Sequence, residues 1–191
     1  MSMKRIIFTL SMILVTTYMM AQEHLSFKGI PIEGSMTEFC KKLEAKGLTS
    51  IGRENNIEMF TGDFTGREAS VAVAATDDGK NVFSVIVFFE PSDEWNTLVN
   101  TYDYYKDLYT RKYNKPTKSK EKNPYFDDSN ISLMAALHDG RVVWASAWEV
   151  TGGEIELSIE KSNGVYEGMV MIRYRDAQNV EAKIQRDLED I

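Results

Sequence analysis

The chain of 191 residues contains one cysteine, Cys40, and two histidines, His24 and His138. A single cysteine excludes an intramolecular disulfide, so stability has to come from packing. Two histidines and one cysteine that lie far apart in the sequence form no recognisable zinc-ligand spacing. The composition therefore predicts neither a disulfide-stabilised fold nor a zinc site.

Several catalytic motifs are also absent. The sequence has no G-x-S-x-G pentapeptide, which serine hydrolases of the α/β type require, and no glycine-rich loop of the Walker or dinucleotide type. Cys40 and His138 are the one nucleophile and base pair that includes the cysteine, but Cys40 falls on the apolar face of a predicted helix. We therefore expect no catalytic residue and no cofactor.

Two groups of polar residues could each form a functional site or serve only an ordinary structural role. Asp127, Asp128 and Asn130 could ligate Ca²⁺, but they lack the spacing, the glycine and the terminal glutamate of an EF-hand, so turn chemistry explains them better. A second group alternates along a predicted strand: Glu154, Glu156 and Glu160. These could imitate a glycosidase pair, but a solvated strand face needs the same alternation. We expect neither a metal site nor a glycosidase.

No apolar run approaches the roughly 20 residues that a membrane span needs, and the longest one lies at the start of the chain. Residues 6–15 are apolar, follow Lys4 and Arg5, and precede small or polar residues up to Ala21, which is typical of an export signal cleaved before Gln22. The run is too short to span a membrane, and no cysteine lies near its end for a lipid anchor. We expect a periplasmic or secreted protein that is soluble after removal of the signal.

Residues 22–191 are expected to form a single α+β domain with two similar halves, 24–90 and 92–191, and a basic loop at 114–130. Loss of Lys4 and Arg5 changes the formal net charge from −7 to −9. This charge disfavours nucleic acid and anionic membranes as partners. Residues 111–122 hold six positive charges against one negative. We interpret them as a solvated loop, with weak contact to an acidic surface as the alternative.

The longest segment with helical periodicity, residues 92–113, separates the two halves. Its apolar stripe consists of Trp95, Leu98, Val99, Tyr102, Tyr105, Tyr109 and Tyr113. Ser92 and Asp93 are expected to cap the first turn, and Asn114 and Pro116 to end the helix. Aromatic residues at helical spacing are usually core, so we expect the stripe to pack on a sheet rather than to stack sugars or bases.

In the first half, a short strand over 25–32 precedes a helix over 35–46. Ser35 and Glu38 form a capping box for this helix, whose apolar face includes Cys40. Three strands follow, at residues 57–64, 67–76 and 81–90. The last of these is apolar on both faces, so we expect it to be fully buried.

In the second half, three two-residue turns predict a four-stranded antiparallel meander. The turns are Asp139-Gly140, Gly152-Gly153 and Asn163-Gly164. They make residues 131–138 the first strand, place Trp144, Trp148, Leu157 and Ile172 on one face, and set Glu154 opposite Arg173. A final helix over 178–191 is expected to pack lightly at an edge of the sheet.

One group of small apolar residues falls on the opposite face of this predicted meander. It consists of Met134, Ala136, Val143, Ala145 and Ala147. Such a patch is either covered by the first half of the chain or is a possible partner surface.

Four phrases carry a resemblance: FKGIPIEG at 27–34, MFTGDFTGRE at 59–68, a tryptophan followed by KYNKP across 95–116, and Y-x-D-x-x-N at 174–179. Together they resemble a family of small uncharacterised exported proteins of Gram-negative gut bacteria. This resemblance implies export but no catalytic or binding residues. The repeated order of helix and meander also resembles, in topology alone, the tandem α/β repeats of β-lactamase-inhibitor proteins.

The sequence thus favours a non-catalytic exported module of the cell envelope that binds a protein or a small ligand. The alternative is an exported hydrolase with a site near His138. The position of His138 separates the two hypotheses, because a catalytic histidine has to lie in a pocket within reach of a carboxylate such as Asp127, Asp128 or Asp139.

Overall fold

The computed structural model describes residues 23–121, 129–189 and 191. The predicted export signal, Asp127 and Asp128 therefore lie outside the described residues. The strands of the described part are β1 (Ser26–Phe27), β2 (Ile30–Pro31), β3 (Thr49–Glu54), β4 (Ile57–Phe64), β5 (Arg67–Ala75), β6 (Val82–Phe88), β7 (Lys118–Lys120), β8 (Trp144–Val150), β9 (Gly153–Lys161) and β10 (Gly168–Asp176). Its helices are α1 (Met36–Glu44), α2 (Trp95–Tyr113), α3 (Asn130–His138) and α4 (Ala177–Glu189).

Both halves of the chain contribute to one antiparallel sheet. Its eight strands follow the order β3-β4-β5-β6-β10-β9-β8-β7, and β1 and β2 form a separate hairpin. The halves meet where β6 pairs with β10, with Val85 opposite Tyr174. The predicted α+β class is confirmed, and the two predicted halves share one sheet.

One face of the sheet carries the core. A row of directly paired residues crosses six strands, and each member is at most 1% exposed: Phe60, Val71, Val87, Ile172, Leu157 and Ser146. Helix α2 packs on β8, β9 and β10, and α1 packs on β5. The opposite face is less covered, because Ile86 and Phe88 of β6 are only half-buried. The prediction that β6 is fully buried is therefore wrong for this second face and correct for the core face.

Helix α2 forms where its apolar stripe predicts it. The five main stripe residues are between 0% and 8% exposed: Trp95, Leu98, Tyr102, Tyr105 and Tyr109. The N-cap is Glu94 rather than the predicted Ser92 or Asp93, and it makes no side-chain capping bond. The Ser92 hydroxyl oxygen accepts the Glu94 amide at 3.1 Å, before the helix begins. The helix ends at Asn114, which has a φ of 71°. The stripe is core, as expected.

Helix α1 confirms its capping box. The Ser35 side chain accepts the Glu38 amide at 3.3 Å, and the Ser35 hydroxyl donates to the Glu38 carboxylate at 3.0 Å. The chain turns away at Gly47, where a φ of 88° lies in the left-handed region that favours glycine. The predicted inward face, which includes Phe39, Cys40 and Leu43, is buried.

The predicted strand over 131–138 is wrong, because this segment is helix α3. Leu133, Met134, Ala136 and Leu137 are buried. The hairpin predicted at Asp139-Gly140 is instead the end of a helix, with the Gly140 amide donating to the Leu137 carbonyl at 3.1 Å. The fourth strand of the second half is the short edge strand β7 in the basic segment, which pairs with β8.

The other two predicted registers are shifted by two residues. The turn after β8 is Thr151-Gly152, so Trp148 lies opposite Ile155, and the longer turn after β9 sets Ile172 opposite Leu157. A shift of two leaves every side chain on its predicted face. Glu154 consequently lies opposite Arg175 rather than Arg173, and the two side chains form an ion pair at 2.8 Å.

Helix α4 begins at the end of β10 and lies along one end of the sheet. Asn179 is its one buried residue, and its side-chain amide donates to the carbonyls of Ile32 and Val82 at 2.9 Å each. Ile184 and Leu188 are about half exposed, so the helix packs as lightly as predicted. In the described ranges, no helix has the length and apolarity needed to cross a membrane.

Candidate functional site

An aromatic cleft of about 910 Å³ lies between the N-terminal hairpin and the second half of α2. Its ends are formed by the β4–β5 turn with Thr65 and by the β8–β9 turn with Thr151. Five aromatic residues line it: Phe64, Tyr105, Tyr109, Tyr113 and Tyr174. Leu108 and Val150 add aliphatic surface. Its volume lies in the range of roughly 300–1,000 Å³ that is typical of small-molecule pockets.

The hairpin that forms one wall is anchored by Phe27. Its turn residues Lys28 and Gly29 have φ values of 50° and 76°, as a two-residue hairpin turn with left-handed central residues requires. The Phe27 ring is 1% exposed, stacks on Phe64 at 5.8 Å, and meets Tyr174 edge-on at 5.2 Å between ring centroids. The wall is therefore attached to the core.

Asp176 fastens the start of this wall to the end of the sheet. Its fully buried carboxylate accepts the amides of Leu25 and Asn179 at 2.9 Å each, and the second of these bonds caps α4. The same carboxylate lies 3.1 Å from Nδ1 of His24, whose Nε2 lies 3.4 Å from Glu33. One carboxylate thus connects both ends of the described chain.

The β8–β9 turn supports the same segment by close backbone contact. Gly152 has a φ of 85°, and a Cβ added there would lie 2.4 Å from the Glu23 carbonyl oxygen and 2.5 Å from the Leu25 amide nitrogen. No side chain fits at this contact without displacing the N-terminal segment. The cleft therefore has a fixed wall on this side.

The helix wall presents tyrosine hydroxyls. Tyr105 donates to the Phe64 carbonyl at 3.3 Å and lies 2.9 Å from the Thr65 hydroxyl. Tyr109 and Tyr174 hydrogen-bond to each other. Burial raises the pKa of both Tyr109 and Tyr174, so both hydroxyls keep their protons at neutral pH.

Charged groups occupy both walls of the cleft. On the helix, the Lys112 ammonium lies 4.9 Å from the centroid of the Tyr113 ring. On the hairpin, the Lys28 ammonium donates to the Asp63 carbonyl at 2.9 Å. Glu33 is engaged by His24. The cleft thus combines aromatic and aliphatic surface with two ammonium groups on opposite walls and with the carboxylates of Glu23 and Glu33.

A second polar cluster fastens the basic segment to α2. The Glu121 carboxylate accepts hydrogen bonds from Tyr102, Ser119 and Ser146 at 2.8 Å each. It also forms an ion pair with Lys106 at 2.5 Å. Burial raises the pKa of Glu121, but the hydrogen bonds outweigh it and lower the pKa to about 2. The one acidic residue of the predicted solvated loop is therefore an anchor.

Replacing Glu121 with glutamine is expected to lower the free energy of unfolding by about 2 kcal/mol at pH 7. The folded pKa is below the ordinary 4.5, so the stabilisation is complete above pH 4.5 and declines as pH falls toward about 2. Urea unfolding at pH 7 and pH 3 measures this difference. The control is Glu149→Gln, which removes an exposed 3.4 Å pair with Lys118 and should cost under about 0.5 kcal/mol. A Glu121→Gln variant that loses the same free energy of unfolding at pH 7 and pH 3 would contradict the prediction.

Cys40 is a structural thiol, as its helix position predicts. It is 7% exposed, and burial raises its pKa to about 11, with the charge of Glu58 as the next cause. Glu58 is held by Ser50 at 2.6 Å and by Arg53. A thiol with this pKa carries almost no thiolate at neutral pH.

The structure places His138 away from the aromatic cleft. Its Nε2 lies 2.7 Å from the Glu167 carbonyl oxygen, and its ring contacts Tyr166 edge-on. The Asp139 carboxylate pairs with Arg141 at 2.6 Å. The bonded ring nitrogen thus links the end of α3 to the β9–β10 turn. No described contact places a carboxylate on this histidine.

The group predicted as a possible partner surface is divided by the structure. Met134 and Ala136 are 2% and 0% exposed on α3, because their segment is a helix that packs into the core. Ala145 and Ala147 are half-buried on the less covered face of the sheet, beside Lys120 and Lys118 of β7, and Val143 is 45% exposed. The five residues therefore form no common surface, and whether the last three meet a partner stays a prediction.

The strand glutamates are paired with arginines. Glu154 and Glu156 lie 2.8 Å from Arg175, and Glu156 is also 3.3 Å from Arg173. In the part of the chain that the structure describes, no three or more histidine, cysteine or acidic side chains converge to hold a metal ion.

Comparisons with family models, curated proteins and solved structures find no significant match. The residues of this chain therefore have to carry the functional argument.

Proposed function

We propose that this protein is a non-catalytic binding module of the cell envelope that holds a small, mostly apolar molecule in the aromatic cleft. The observation that carries the proposal is the cleft of about 910 Å³, lined by five aromatic side chains. Pockets of roughly 300–1,000 Å³ with apolar walls and few polar groups are typical of small-molecule sites. A protein partner is the alternative occupant.

The support of the cleft favours binding without large rearrangement. Its helix wall is fixed by Tyr109, which lies 5.5 Å from Trp148 between ring centroids. Its hairpin wall is fixed by Phe27, Asp176 and the close contact at Gly152. A site whose walls are fixed before binding loses little conformational entropy when it is filled.

The histidine in the cleft lining supports a role without catalysis. Both ring nitrogens of His24 face carboxylates, Asp176 at 3.1 Å and Glu33 at 3.4 Å. A general base needs a nitrogen free to take a proton from a substrate or water. His24 is therefore better suited to hold the N-terminal segment than to carry out chemistry.

The location in the envelope is part of the same proposal and rests on residues 1–21. Cleavage after Ala21 leaves Gln22 as the first residue, directly before the segment that forms the hairpin wall. Intact mass measurement of the protein isolated from its native cells tests this point. A chain that retains residues 1–21 would refute export by signal cleavage.

A cleft-filling variant tests the binding function. Leu108 is half-buried in the helix wall, so Leu108→Trp places a larger ring in the cleft. We expect the affinity for the neutral dye Nile red, followed by fluorescence titration, to fall at least about 10-fold, equivalent to 1.4 kcal/mol. Leu188→Trp introduces the same side chain at a position 52% exposed on α4 and should leave dye affinity unchanged. No dye binding by the unmodified protein, or equal binding by both variants, would contradict the proposal.

A further inference from the structure

We infer that the molecule held in the aromatic cleft is an apolar carboxylic acid whose carboxylate binds the Tyr109–Tyr174 hydroxyl pair and the Lys112 ammonium. This inference rests on the proposed binding function and adds the chemical class of the ligand. Three observations carry it: the number of protons on the tyrosine pair, the position of Lys112, and the apolar surface beside them.

The tyrosine pair has one hydrogen-bond donor more than it uses. Tyr109 and Tyr174 each carry one hydroxyl proton, and their mutual bond uses one of the two. Neither hydroxyl has another hydrogen-bond partner in the described residues, and both side chains line the cleft. Their raised pKa values keep both protons in place. The second proton is thus available to an acceptor in the cleft, and an anionic acceptor forms the stronger bond.

Lys112 supplies a positive charge in the lining of the same cleft. It lies three residues after Tyr109, so both side chains project from neighbouring positions on α2. Its ammonium lies over the Tyr113 ring, and no carboxylate of the described residues lies within 4 Å of it. The Glu33 carboxylate on the opposite wall lies 3.4 Å from Nε2 of His24, and Glu23 is the other carboxylate of the lining. An ammonium and a neutral hydroxyl donor together match a carboxylate.

The apolar part of the lining selects the body of the acid. Phe64, Leu108 and Val150 are in the cleft wall, together with the faces of the tyrosine rings. Burying a hydrocarbon chain or ring on this surface supplies affinity without a further polar contact. A small hydrophilic acid such as acetate lacks this body and should bind weakly.

Calorimetric titration with two matched pairs of probes tests the inference: octanoate with octanamide, and 2-naphthoate with 2-naphthamide. Each amide has the shape of its acid without the charge. We expect the acid of at least one pair to bind 10-fold or more tightly than its amide. Lys112→Gln should reduce this ratio to below about 3-fold, and Lys115→Gln, outside the cleft, should leave it unchanged. An acid and amide that bind equally in both pairs would overturn the inference.

The tyrosine pair is tested by comparing single and double variants. Either Tyr109→Phe or Tyr174→Phe leaves one hydroxyl whose proton is free, so acid affinity should change by less than about 3-fold. The double variant removes both donors and should lose 10- to 100-fold, with circular dichroism and Tyr104→Phe as controls for folding and for loss of a hydroxyl. A double variant that binds the acid as tightly as the single variants refutes this role.

The failure of this inference is distinguishable from failure of the proposed function. If Nile red still binds and Leu108→Trp still blocks it, the proposed function survives a negative result with the acids. If the protein binds neither the dye nor any acid, the proposed function and the ligand class are both overturned.

Discussion

Replacing Asp176 with alanine is expected to lower the free energy of unfolding by about 3 kcal/mol, because three polar groups lose their acceptor. These are the amides of Leu25 and Asn179, at 2.9 Å each, and the His24 ring at 3.1 Å. The carboxylate is fully buried, so water does not replace it without rearrangement. Chemical denaturation measures the loss, and hydrogen exchange at the Leu25 amide shows whether the cleft wall loosens with it.

Two variants serve as controls for Asp176→Ala. Asp176→Asn keeps one carbonyl acceptor and should lose about half as much free energy. Asp187→Ala removes an exposed aspartate of α4 that pairs with Lys183, and should cost under about 0.5 kcal/mol. Equal stability of Asp176→Ala and Asp187→Ala would show that the buried carboxylate does not hold the N-terminal segment.

The largest loss is expected for Trp148→Ala, at about 4 kcal/mol. Trp148 is 1% exposed, and its indole nitrogen donates to the Asn114 carbonyl at 3.0 Å. Truncation leaves a cavity under α2 and removes the bond that holds the end of this helix. Lys112 and Tyr113 lie in the last turn, so binding in the cleft should weaken together with stability.

Thermal and urea unfolding of Trp148→Ala, Trp148→Phe and Tyr166→Ala separate the contribution of packing from that of the indole hydrogen bond. Trp148→Phe keeps most of the packing but loses the indole donor, and should cost about 2 kcal/mol. Tyr166 is 57% exposed in the β9–β10 turn, so Tyr166→Ala should change stability by less than about 0.5 kcal/mol. A Trp148→Ala protein within 1 kcal/mol of the parent would contradict the packing described for this wall.

The sequence predicted α1, α2 and most long strands because their signals are local. A capping box at Ser35, an aromatic stripe on α2 and turns beside each strand act within a few residues. Two registers were misplaced by two residues because Gly152 and Asn163 each belong to a turn whose boundaries the dipeptide alone does not specify. The buried face was still predicted correctly, since side-chain direction repeats every two residues.

The segment that became α3 shows where turn signals mislead. Asp139-Gly140 is a favoured hairpin dipeptide, but glycine after a helix serves equally well as a C-terminal cap, and here it does. Leucine, methionine and alanine between 133 and 137 are strong helix formers, whereas β-branched residues would favour a strand. Weighing composition above the turn signal would have predicted the helix.

The missed strands β3 and β7 lie at the two edges of the sheet and carry almost no apolar alternation. Their residues are exposed apart from Ser50, so no buried face left a pattern in the sequence. They are strands because β3 pairs with β4 and β7 pairs with β8. Edge strands of this kind, polar or lysine-rich, also avoid pairing with other chains.

The cleft could not be predicted because its parts are distant in the sequence. His24 and Asp176 are separated by 152 positions, and Tyr109 and Tyr174 by 65. Neither pair forms a motif, and the helical spacing that assigns Tyr109 to the core does not indicate that this residue also lines a cleft. Only the pairing of β6 with β10 and the return of the N-terminal hairpin to Asp176 bring these groups together.

The junction of β6 with β10 has a consequence for the order of folding. Val85 meets Tyr174 across a separation of 89 residues, so the central pair of the sheet cannot form until almost the entire polypeptide has been synthesised. Until then β6, with its apolar residues, is an unpaired edge on the N-terminal half, and such edges promote aggregation of nascent chains. Because long-range pairing is slow, refolding of the protein should be rate-limited by closure of this seam, and truncation before residue 168 should yield an insoluble product.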